Sequence, residues 1–73
     1  MSSTMYFLRR KSMKQIEQDV TEKFNVELCY KNNKERVFKS QDLLITCRSK
    51  YILVLVYDNA QENQVRSISN SIF

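Results

Sequence analysis

Two apolar stretches near the middle of the chain, Leu43 to Arg48 and Tyr51 to Tyr57, constrain the fold more than any other feature. They flank Ser49-Lys50. A two-residue turn there sets Cys47 against Ile52, Ile45 against Val54 and Leu43 against Val56, all apolar and all on one face. A slip of one residue would scramble that set, so the pattern itself specifies the register. The opposite face carries Leu44, Thr46, Tyr51, Leu53, Leu55 and Tyr57 and is also mostly apolar. A sheet that is apolar on both sides needs a cover on each. Burial is favourable by about 25 cal/mol per Å², and an uncovered patch of several hundred Å² is unusual on a monomer. Lys50 and Asp58 flank the second stretch as charged gatekeepers.

The chain supplies one clear cover. Met13, Ile16, Val20 and Phe24 recur at helical spacing, which predicts an amphipathic helix over 12–24. Ser12 and Gln15 have the spacing of a capping box, Asp19 and Lys23 form an i, i+4 pair, and Asn25 suits a left-handed helix end. After Asn25 the pattern alternates. Glu27 to Lys31 and Arg36 to Lys39 read as a hairpin with a three-residue loop, 32–34. That loop pairs Lys31 with Glu35, Cys29 with Val37, Leu28 with Phe38 and Glu27 with Lys39. Asp58 to Asn63 reads as a turn and Gln64 to Ser69 as a fifth strand; the tail 67–73 is alternatively a short helix through Ile68 and Ile72.

The expected fold class is therefore α+β: one N-terminal amphipathic helix followed by an antiparallel β-meander of four or five strands. Three covers are open for the second sheet face: curling into a half-barrel, the Met5 to Leu8 segment, or another protein chain. At 73 residues the chain is expected to form a single domain, 12–73, with a thin core. Residues 1–11 are expected to form a flexible basic arm. Met1, Met5 and Met13 are all possible starts, and from a start at Met13 residues 1–12 would be an upstream extension. They are not a secretory signal, since Met5 to Leu8 is too short an apolar core and the basic residues follow it.

Charge sharpens that division. The net charge is +4, with twelve basic and eight acidic residues. Arg9, Arg10, Lys11 and Lys14 account for the whole excess, and the rest of the chain is balanced. Nucleic-acid binding is thus an argument about the arm alone: those four residues on phosphates, with Tyr6 and Phe7 as stacking groups. A membrane reading rests on Met5 to Leu8 followed by the same basic cluster. One short segment gives weak, reversible binding, and no apolar run approaches a membrane span.

Composition excludes much chemistry. There is no His, Gly or Pro. No His base can activate a nucleophile, and no Gly-rich loop can cradle a phosphate. Cys29 and Cys47 alone do not make a zinc site. Both are expected as reduced core thiols, in keeping with a cytoplasmic protein. No catalytic, metal or cofactor residues are therefore assigned. Scarce Ala with abundant Lys, Asn, Ile and Ser hints at an AT-rich source such as a phage. The expected function is a small non-enzymatic protein-binding module, an accessory, regulator or inhibitor. It would act through Leu44, Tyr51, Leu53, Leu55 and Tyr57, either on another protein or as a homodimer. The alternative is nucleic-acid binding through the arm.

Overall fold

The structure, a computed structural model, describes residues 2–73. Chain order is β1 (Ser3–Leu8), α1 (Met13–Lys23), β2 (Glu27–Lys31), β3 (Arg36–Lys39), β4 (Leu43–Cys47), β5 (Tyr51–Val56), a 3-10 turn (Asn59–Gln61) and α2 (Glu62–Ile72). The fold is α+β. Among the described residues its five strands form one open antiparallel sheet in the order β1-β5-β4-β3-β2. It does not close into a half-barrel.

The β4–β5 hairpin has the register that the apolar pattern demands: Leu43 opposite Val56, Ile45 opposite Val54, Cys47 opposite Ile52. Ser-Lys is weak turn chemistry, yet the Arg48 N–H donates to Tyr51 C=O at 2.8 Å. Help comes from outside the hairpin: the Arg9 Nε donates to Ser49 C=O at 2.7 Å.

Within the segment expected as a flexible arm, Ser3–Leu8 is a strand, and Met1 lies outside the described residues. β1 pairs with β5 from Ser3 opposite Val56 to Leu8 opposite Tyr51. Met5 is 3% exposed and belongs to the core. The ladder along β5 satisfies backbone groups that a free arm would leave to water. β5 therefore becomes a central strand.

Ser12 caps α1 by accepting the Gln15 N–H at 3.2 Å. The reciprocal half of the capping box does not form, because the Gln15 amide donates to Asp19 at 2.9 Å instead. Asp19 pairs with Lys11, not Lys23. Asn25 does not end the helix in a left-handed conformation, and no described residue has positive φ. Phe24 turns the chain into an extended conformation and buries its ring in the core.

The first hairpin keeps its outer pairs, Glu27 with Lys39 and Leu28 with Phe38. Its inner pairs shift by one residue at a bulge on Cys29, giving Tyr30 opposite Val37 and Lys31 opposite Arg36. Two cations opposite each other repel. Here Glu17 of α1 lies 3.0 Å from Arg36 and 3.6 Å from Lys31 and offsets part of that repulsion. The expectation of two core thiols also fails: every residue of the edge strand β2 is exposed, Cys29 among them, and only Cys47 is buried.

The expected fifth strand at 64–69 is part of α2. Val65, Ser69 and Ile72 are buried along one side of that helix. Asp58 caps the preceding turn by accepting the Ala60 N–H at 3.0 Å. Ile16 and Val20 of α1 and Val65 and Ile72 of α2 share one core with Met5, Phe38, Leu43, Ile45, Cys47, Ile52, Val54 and Val56. Both helices therefore lie on the same side of the sheet.

Candidate functional site

Among the described residues nothing covers the side of the sheet away from the helices. Register builds it in rows. Thr4, Leu55, Leu44, Lys39 and Glu27 form one row across the five strands, and Tyr6, Leu53, Thr46, Val37 and Tyr30 form the next. Leu8 and Tyr51 stand opposite each other beyond them. Leu44, Tyr51, Leu53 and Leu55, singled out from the sequence, are brought together here and are half-buried by their neighbours within the sheet. Tyr57 lies one residue past β5, is exposed, and holds its place through an N–H bond to Asp42 C=O at 3.0 Å.

Sequence reasoning missed the contribution of the edge strands. Tyr6 is 60%, Leu8 58% and Tyr30 51% exposed. The Tyr6 and Tyr51 rings stack with centroids 5.5 Å apart. The signal was present as the parity of Tyr6 and Leu8 against Met5 and Phe7, but it has no meaning until Ser3 to Leu8 is known to be a strand.

Charge on this face cancels. Glu27 stands opposite Lys39 in the ladder, and Arg48 pairs with Glu35 at 2.8 Å. A surface that grips phosphates needs a surplus of cations, and this one has no surplus. The residues proposed for nucleic acid are also scattered. Tyr6 lies on the open face, whereas Phe7 packs against Phe73 at 5.4 Å, on the side of the helices. Arg9 donates to Ser49 C=O and Lys11 C=O, and Lys11 pairs with Asp19 at 2.9 Å. Of the basic cluster, only Arg10 and Lys14 make no ion pair or side-chain hydrogen bond among the described residues.

Catalytic geometry has few candidates. Among the described residues no group of three or more His, Cys, Asp or Glu could hold a metal ion. A cleft of about 420 Å³ lies between the end of α1, the β3–β4 turn and α2. Its charged lining is Lys23 and Asp42, with Ser40, Gln61 and Gln64 beside them. Cys47 is buried 3.3 Å from the Met13 sulfur, and burial pushes its thiol above the ordinary range, away from the reactive thiolate. Among the described residues no helix is long and apolar enough to cross a membrane.

No family model, curated protein or solved structure matches the chain.

Proposed function

We propose that this chain is a non-enzymatic protein-binding module whose open sheet face docks a protein partner. The observation that carries the reading is the one-sided packing of the helices. Both helices cover the Val54 face and leave Leu44, Leu53 and Leu55, with Tyr6, Tyr30 and Tyr51, on the other. Burying such a surface is favourable, and tyrosine serves hot spots because it is large, rigid and amphipathic. The balanced charge favours a protein over a nucleic acid or an anionic lipid surface. Occlusion of a partner's surface, as a regulator, accessory or inhibitor would do, needs no chemistry of its own.

Affinity capture from the native host, with the parent chain beside Leu53→Lys, tests this. The lysine sits on an uncovered face, so circular dichroism should be unchanged. A desolvated charge in an interface costs several kcal/mol, so a protein retained by the parent should be lost from the variant. The same proteins retained by both would overturn the reading. Salt-sensitive binding to an oligonucleotide, lost on replacing Arg10 and Lys14 by Ala, would favour the basic cluster instead.

A further inference from the structure

The two edges of the sheet are unlike. β2 carries charges at its ends, Glu27 and Lys31, and the bulge at Cys29 interrupts its ladder. Charges and bulges are what keep an edge from recruiting a further strand. β1 has neither. Ser3-Thr4-Met5-Tyr6-Phe7-Leu8 has no charge and no proline, and its register with β5 is continuous. No strand flanks its outer side among the described residues.

Hydrogen-bond parity fixes what that edge offers. The Arg9 N–H donates to Lys50 C=O at 3.0 Å, one step beyond the Leu8–Tyr51 pair. Bonded and non-bonded pairs alternate along an antiparallel ladder. Phe7, Met5 and Ser3 therefore bond inward to β5, while the N–H and C=O groups of Thr4, Tyr6 and Leu8 point outward. That outward set is symmetric about Tyr6. We propose that a second copy of this chain pairs with it, antiparallel about a two-fold axis at Tyr6, joining the two sheets edge to edge.

In that pairing Tyr6 faces the partner's Tyr6 and Thr4 faces the partner's Leu8, and each such pair exchanges two hydrogen bonds. No outward group is left without a complement. Charge supports the antiparallel sense: the two copies of Arg9 fall about 20 Å apart, from a rise of about 3.4 Å per residue, where a parallel pairing would set them side by side. The open faces of the two copies then form one continuous apolar surface with paired Tyr6 rings at its middle. This edge is a different surface from the proposed docking face and does not depend on it.

Amide exchange on the unmodified chain is the first test. Thr4, Tyr6 and Leu8 amides should exchange quickly in dilute protein and slow by about tenfold or more as concentration rises, while Met5 and Phe7 stay protected throughout. Fast exchange of the three at every concentration would overturn the proposal. Thr4→Pro is the second test, because it removes an outward N–H and no bond to β5. Light scattering should move from twice 8.8 kDa to 8.8 kDa, with circular dichroism unchanged. Met5→Pro, which removes an inward bond, should unfold the chain. A folded Thr4→Pro that remains a dimer would overturn the edge pairing. Leu53→Lys separates the two surfaces: the edge dimer persists in it while docking on the face is lost. A dimer that Leu53→Lys dissociates and Thr4→Pro leaves intact is a face-to-face dimer, and the edge proposal fails.

Discussion

Leu53 and Val54 are adjacent on β5 and differ by one methylene, yet Val54 is fully buried and Leu53 is half open to solvent. The same contrast runs across the whole sheet, with Ile45 against Leu44 and Val56 against Leu55. Apolar chemistry alone does not decide which face becomes the core. Topology does. Four successive antiparallel pairings make β1 and β2 point the same way from opposite edges of the sheet. Helix α1 must therefore cross the sheet's full width, and it can pass over only one face. Helix α2 then returns on that side, its C-terminal Phe73 packed on Phe7. Among the described residues one face is covered twice and the other not at all.

The largest test of this asymmetry is a pair of truncations. Phe38 is fully buried under the helices, so Phe38→Ala should destabilise the chain by about 3–5 kcal/mol. Leu53→Ala, on the open face, should cost less than about 1 kcal/mol despite removing a side chain of comparable hydrophobicity. Val54→Ala should fall between, at about 2 kcal/mol. Urea unfolding monitored by circular dichroism gives all three. Equal losses for Leu53 and Val54 would mean that the open face is covered in solution.

How much of this was legible follows from where the signals are local. The β4–β5 register rests on a repeat of two over six residues a side, and one slip would expose all of it. The α1 stripe and its Ser12 cap are equally local. β1 was not legible because Met5 to Leu8 is a short apolar run next to a basic cluster, and only pairing with a distant strand makes it regular. The bulge at Cys29 sets Lys31 opposite Arg36, and the carboxylate that lies beside both, Glu17, belongs to another element. Helix α2 was obscured by Ser69, a hydroxyl at a position where a helical stripe ordinarily carries a hydrophobe. Its burial is set by close packing of the helix, which no local pattern reports. The apolar second face was readable, but its membership at Tyr6, Leu8 and Tyr30 was not, because it required knowing the edges.

A smaller effect sharpens the comparison by loosening the cover without touching the sheet. Ser12 accepts an N–H that would otherwise be unpaired at the start of α1. Ser12→Ala should cost about 1 kcal/mol. The loss should appear at Cys47, which lies beneath Met13, and not at exposed Cys29. Thiol labelling should be fast at Cys29 in both proteins and about fivefold faster at Cys47 in the variant, as local opening of α1 becomes more frequent. No acceleration at either cysteine, or equal acceleration at both, would show that α1 does not gate that side of the sheet.

The smallest expected effect concerns the tether that holds α1 over the sheet. Lys11, in the β1–α1 connection, lies 2.9 Å from Asp19. Its hydrogen bond is the main reason the Asp19 carboxyl is held below the ordinary carboxylate range, with Gln15 adding to it. A carboxyl with a depressed folded pKa binds its proton less readily when folded than when unfolded. Its contribution is thus fully present above the unfolded value of about 3.9 and is lost as pH falls through the lower folded value. The pair is near the surface, so the contribution should stay below about 1 kcal/mol and shrink with added salt. Glu62 is depressed as well, by Ser3 and Arg66, and acts on the same acid limb. Comparing Lys11→Ala with the parent isolates Asp19, because Glu62 is common to both. The stability difference between the two proteins should be largest near neutral pH and close on acidification. A difference that does not change with pH would mean that Lys11 acts through the chain conformation of the connection, and that the cover is held without its charge.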